Sequence, residues 1–171
     1  MRRRDHGEFT EFAQAAAPQL RRTAHLLCGD WHRAEDLTQI ALEKVYVAWR
    51  RVERTDNPQA YAKRVMLNAY LDRRRLRSSG EVTGLEPHEF DRPDTHTGEN
   101  PDLRLTLWEA LMRLPPRTRA VLVLRYWEDQ SLESTAELLG MSLSAVKSAG
   151  PRGLARLREL LGTDPSLTLT R

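Results

Sequence analysis

Residues 131–148 read SLESTAELLGMSLSAVKS, and the reading of this stretch decides the fold of the C-terminal half. Ser131 has the side chain of a helix N-cap, and Leu132, Ala136 and Leu139 recur at the spacing of one helical face. Gly140 suits the left-handed position that closes a helix, and Ser142 can cap the helix after it. Two short helices joined by a tight glycine-containing turn, with alanine at the point of close contact, form the pattern of a helix-turn-helix.

Upstream, DLRLTLWEALMRL (102–114) sets Leu103, Leu107, Leu111 and Leu114 on one face before Pro115-Pro116 breaks the helix. RTRAVLVLRYWED (117–129) then predicts a more apolar helix. Downstream, Leu143, Val146, Leu154 and Leu157 are expected in the core, but Gly150-Pro151 interrupts the run. Proline there removes the hydrogen bond to the Lys147 carbonyl at a cost of about 3 kcal/mol. A straight helix over 143–161 is therefore disfavoured. The expectation is a kink, or two pieces (143–149 and 151–161) with Gly150 as N-cap, and a reading surface bent so that Arg152 is re-aimed.

The N-terminal half holds three further helical patterns. Phe9, Phe12, Ala16, Leu20, Ala24 and Leu27 make one stripe, ended by Gly29-Asp30. WHRAEDLTQIALEKVYVAWRRV (31–52) predicts a second helix of about five turns. Asn57 is a plausible N-cap with Pro58 at the first helical position, opening PQAYAKRVMLNAYLDRRRLR (58–77). Residues 78–101, rich in Gly, Pro and acidic groups, read as a linker. No strand-period run occurs. The fold class is all-α: two small helical domains, 1–77 and 102–162, joined by a flexible acidic linker (78–101), with a disordered tail at 163–171.

Charge is unevenly spread. Residues 1–80 carry 16 basic and 10 acidic groups, residues 81–101 one and six, and residues 102–171 ten and eight. Arg predominates over three Lys, which suits bidentate contact with phosphates and base edges, although Arg-rich codon usage gives the same bias. The single Cys28 fits a reducing compartment, and the five His show no metal-ligand spacing, so no metal is expected. Neither a signal peptide nor a membrane span is present, which predicts a cytoplasmic protein. The sequence has no glycine-rich phosphate loop, nucleophile elbow or paired His-Glu motif, and Glu35 and Asp36 point about 100° apart on a helix. The expectation is a binding protein with no enzymatic activity and no cofactor.

The order of features narrows the reading. AEDLTQIALEKVYVAW, NPQAYAKRVMLNAYLDRRRLR, an acidic linker, LWEALMRLPPRTRAVLVLRYWEDQSLESTAELLGMSLSAVKS and RGLARLREL together resemble a bacterial RNA polymerase sigma factor of the extracytoplasmic-function type. LLCGDWHRAEDLTQIALEKVYVAW resembles the actinobacterial sigma-E-like subfamily in particular. The resemblance implies a dissociable subunit of core RNA polymerase that directs promoter-specific initiation and helps open the duplex. It implies a region 2-like domain bound to the beta-prime coiled coil and the minus-10 element. It also implies a region 4-like domain bound to the beta flap and the minus-35 element. An anti-sigma factor would be a further partner; no membrane is implied.

Carried over by position, Asp36, Leu37, Gln39, Ala41 and Lys44 match the core-binding helix, whose mix of charges and small apolar residues suits helix-on-helix contact. Asn68 matches an asparagine near the flipped minus-10 base, where an amide can both donate and accept. Tyr61, Arg64, Asp72, Arg73 and Arg74 lie near enough to stack on the strand or meet phosphates. Lys147, Ser148 and Arg152 match positions on the minus-35 duplex, with Ser144 close to phosphate. The competing reading is a free-standing helix-turn-helix regulator whose N-terminal helices dimerise without polymerase. The basic third helix argues against it, because a dimerisation bundle needs no such cluster.

Overall fold

Apolar residues three and four apart build α1 (Arg3–Cys28), which Gly29 closes with a φ of +79°. Asp30 then caps α2 (Trp31–Val47), its carboxylate accepting from the His32 amide at 2.7 Å. The computed structural model describes residues 3–78 and 101–162, with side chains for 6–73 and 107–162. Residues 79–100 of the expected linker, the expected tail, and the side chains of Arg74 and Leu103 lie outside the described residues, while the linker's end residues Ser78 and Pro101 are helical.

The second helix is shorter than its periodicity predicts. It ends at Ala48, whose φ and ψ of −95° and 7° break the helix before a single turn, α3 (Trp49–Val52). The break lets Trp49 and Val52 both bury. Trp49 meets Phe9 edge-on at 5.4 Å and Phe12 at 5.1 Å, closing the end of the α1–α2 hairpin. Asn57 accepts from the Ala60 amide and opens α4 (Pro58–Ser78), as its side chain and the following proline predict.

The C-terminal half comprises α5 (Pro101–Met112), α6 (Pro116–Leu122), a π-helical turn (Val123–Trp127), α7 (Leu132–Leu139) and α8 (Leu143–Leu161). In the π turn the Glu128 amide donates to Val123 O, five residues back, at 3.1 Å. The helix-turn-helix forms as its caps predict. Ser131 accepts from the Ser134 amide, Gly140 adopts the left-handed conformation, and Ser142 accepts from the Ala145 amide. Every element among the described residues is helical.

Of the two outcomes expected for α8, a kink or a division, the division does not occur. The helix runs through Gly150-Pro151, and Gly150 is a buried interior residue, not an N-cap. A Cβ built at Gly150 would meet nothing within 4 Å, so packing does not require glycine there. The proline favours it: a Cβ on the preceding residue adds to the clash with the proline ring in the helical region, a strain that Ala17 before Pro18 bears within α1 and that Gly150 avoids. Gly153 is different: a Cβ there would lie 2.8 Å from the Thr118 methyl and 3.1 Å from Leu122, so α6 and α8 approach through it.

The two halves share one continuous apolar core and meet at a polar seam. The wholly buried Arg119 of α6 donates to Leu27 O of α1 at 2.6 Å. It also donates to Leu111 O and Met112 O of α5, to Leu114 O, and to the Tyr70 hydroxyl of α4. One cation thus satisfies terminal carbonyls of two helices, the place where a helix dipole favours positive charge. Nearby, Glu128 accepts from Lys63 of α4 and from the Thr23 hydroxyl of α1. His25 stacks on Trp31 at 3.7 Å and on Trp108 of α5 at 4.8 Å.

Candidate nucleic-acid interface and docking groove

On α8, Ser144, Lys147, Ser148, Pro151 and Arg152 are all exposed, and 100° per residue places them on one stripe. The opposite face, Val146, Ala149, Gly150, Gly153 and Leu157, is buried, which fixes how the stripe is turned. Leu143 and Leu154 are half-buried. Arg152 lies back along the helix: its Nε donates to Ser148 O at 3.1 Å and an Nη to Ser148 Oγ at 3.0 Å. Ser148 Oγ in turn donates to Ala145 O. Two of the expected duplex contacts therefore hold one another, while Lys147 projects freely into solvent as a strong phosphate donor.

On α4, Arg64, Asn68 and Asp72 are exposed and Tyr61 half-buried, again within one stripe. Arg73 is exposed but lies about a third of a turn away. Sequence reasoning missed Arg51 of α3, which donates to the Tyr61 hydroxyl at 2.9 Å with its guanidinium 5.8 Å from the ring. With exposed Arg50 and Arg54 it extends positive charge beyond the start of α4; the run RRVER at 50–54 was the available signal.

The expected core-binding residues are not brought together. Asp36, Gln39 and Lys44 are exposed, but Leu37 and Ala41 are 1% and 0% exposed and belong to the core, so they present no side chain to a partner. Matching by position ignored which way the helix is turned. Gln39 borders an open apolar groove of about 760 Å³ between α1 and α2, whose floor includes Phe9, Pro18, Leu42, Tyr46 and Val47. The Arg21–Glu35 ion pair (2.8 Å) and the Gln39–Glu43 hydrogen bond (2.9 Å) form its polar rim. Val47, 87% exposed, is a large apolar side chain left uncovered at its end. Leu42, Tyr46 and Val47 are legible in the sequence as apolar residues, but nothing in the pattern marks them as lining a groove.

Among the described residues no His, Cys, Asp and Glu side chains group as metal ligands, and no helix is long and apolar enough to cross a membrane.

Comparison with known proteins agrees with both halves. Residues 12–79 match the family model for sigma-70 region 2, and residues 104–157 match that for sigma-70 region 4. The chain is 40% identical over 154 residues to the RNA polymerase sigma-E factor of Streptomyces coelicolor, covering 90% of this chain and 86% of that one. It is 34% identical over 139 residues to the extracytoplasmic-function sigma factor ShbA of Streptomyces griseus, covering 75% and 72%. Among solved structures it is similar to the sigma factor RpoE of Bartonella quintana, determined in complex with the anti-sigma factor NepR. The TM-score is 0.74 and the identity 25%, over 92% of this chain and 98% of that one. With both sigma regions present in order and relatives matched along most of their length, the chain belongs to the extracytoplasmic-function group of sigma-70 family RNA polymerase sigma factors.

Proposed function

We propose that this sigma factor engages core RNA polymerase through the α1–α2 groove, the minus-10 element through α4, and the minus-35 duplex through α8. The observation that carries the reading is the pairing, on one chain, of two outward polar stripes with an uncovered apolar groove. The beta-prime coiled coil is the occupant suited to the groove, an apolar channel with a charged rim between two helices. Gln39 stands at that rim; Asp36 and Lys44 are peripheral. The beta flap binds the C-terminal half. Tyr61, Asn68 and Arg64 supply stacking, amide recognition and phosphate contact for an opened strand, with Asp72, Arg73 and Arg74 beyond them. Lys147, Ser148, Arg152 and Ser144 meet the duplex. The chain contributes binding and supplies no reacting group, and it works in the cytoplasm, where polymerase meets the chromosome. Similarity to a sigma factor solved with NepR supports an anti-sigma partner for this chain as well.

Two halves, each carrying one promoter-facing stripe, suit this task. A compact body of this length is roughly 40 Å across. Elements numbered minus-10 and minus-35 lie about 25 base pairs, or about 85 Å, apart. The halves must therefore part along the seam before both elements can be read. In vitro transcription with core polymerase over a genomic promoter library tests the reading, and absence of promoter-dependent stimulation would reject it. Co-purification with core polymerase separates it from the free-standing regulator, which would stay behind. Lys147→Ala is expected to weaken duplex binding uniformly across sequences and to lower the salt slope by about one.

A further inference from the structure

We infer that Pro151 is a specificity-determining residue that packs against the C5-methyl of a thymine in the minus-35 duplex. This rests on the assignment of α8 to that duplex. Proline is the residue least favourable inside a helix, and here it is exposed, so it returns no packing within the protein. Gly150, which packing does not demand, removes the Cβ that would otherwise oppose a helical residue before proline. The pair keeps α8 continuous while setting a flat hydrocarbon ring in the middle of its outward stripe.

The surroundings single that ring out. Ser144, Lys147, Ser148 and Arg152 around it are polar, and the one other exposed apolar residue of the stripe, Ala155 a turn further on, offers only a methyl. Arg152, the one long side chain beside it in sequence, is drawn back onto Ser148 by two hydrogen bonds and leaves the ring uncovered. The buried face of small residues fixes the rotation of the helix, so the ring cannot turn inward. Proline has no N–H and offers no donor to a base edge. The apolar group on the major-groove edge of DNA is the thymine methyl. At about 1.5 Å per residue, Pro151 lies about 10 Å along the helix from Ser144, equivalent to about three base-pair steps.

The test uses full-length protein with core polymerase on promoter duplexes whose minus-35 sequence has been defined by transcription. Each thymine of that element is replaced in turn by uracil, which removes the methyl alone. With the native chain, uracil at one position is expected to lower affinity about fourfold, the value of one buried methyl-sized group. In Pro151→Ser the same replacement is expected to have no effect. A flat uracil profile with the native chain overturns the inference. So does a thymine dependence that survives Pro151→Ser, which would mean that proline acts only through helix geometry. If no promoter-dependent transcription is obtained in the first step, the sigma reading itself fails and this assignment falls with it.

Discussion

Compared side by side, α4 and α8 each turn one polar stripe outward, yet their inward faces differ in kind. Where α4 meets the other half it offers Lys63 and Tyr70, whose partners are a carboxylate on the π-turn end and a guanidinium on α6. α8 meets α6 through Val146, Ala149, Gly153 and Leu157, with Gly153 close enough that an added methyl collides. Both contacts lie over the continuous apolar core, but the first adds a few directional groups and the second is specified by shape. A buried polar network whose members all find partners fixes one arrangement, and close packing does the same through fit. Polar groups thus register the two halves against each other, and packing registers the helix-turn-helix.

The largest blow to the polar side is Arg119→Met. It strips partners from carbonyls of α1 and α5 inside the core, and a loss of more than about 4 kcal/mol is expected in urea denaturation. A loss under about 1 kcal/mol would show that the seam does not depend on it. Lys63→Ala is expected to cost about 3 kcal/mol, because Glu128 is left with an uncompensated charge; the two side chains are only 11% and 8% exposed. Lys63→Met with Glu128→Leu should restore most of that loss, since a buried ion pair is worth little more than well-packed apolar groups. If the double variant is as unstable as the single one, the ion pair itself contributes to the contact beyond the relief of an unpaired charge.

On the packed side, Gly153→Ala should destabilise by about 2 kcal/mol through overpacking against Thr118 and Leu122, with the loss recovered in part by Thr118→Ser. The smallest effect is a change of sign. Gly150→Ala is expected to destabilise the native chain, yet to stabilise a Pro151→Ser background by about 1 kcal/mol, as alanine does in an unobstructed helix. Thermal unfolding of the four-member cycle reads this directly; stabilisation in both backgrounds would remove the stated reason for glycine at 150.

Local signals in the sequence were read well. Asn57-Pro58, Ser131, Gly140 and Ser142 all act within a few residues, and each stands where its side chain or handedness requires. What escaped was non-local. Nothing within 31–52 marks the break at Ala48, because its gain comes from burying Trp49 against Phe9 and Phe12, about forty residues earlier. Arg119 stands just before an apolar run, after Arg117 and Thr118, and looks like a solvated cation until Leu27 O and Tyr70 are brought to it. The burial of Leu37 and Ala41 was not legible because position along a motif does not give rotation about the helix axis. Pro151 did not divide α8; the buried face on both sides holds the helix together through it.

The π turn at Val123–Trp127 carries a consequence of another sort. It fits one more residue into a turn than an α-helix would, and Glu128 follows directly after it. Its hydrogen bond joins Val123 O to the Glu128 amide across five residues, so deleting one residue from this segment would let the turn close as an α-helix with the same two groups bonded, and Glu128 would keep its place beside Lys63 and Thr23. An α-helical segment losing one residue would instead turn everything beyond it by about 100°. The π turn is thus slack in the polypeptide, a residue held in reserve where the two halves meet.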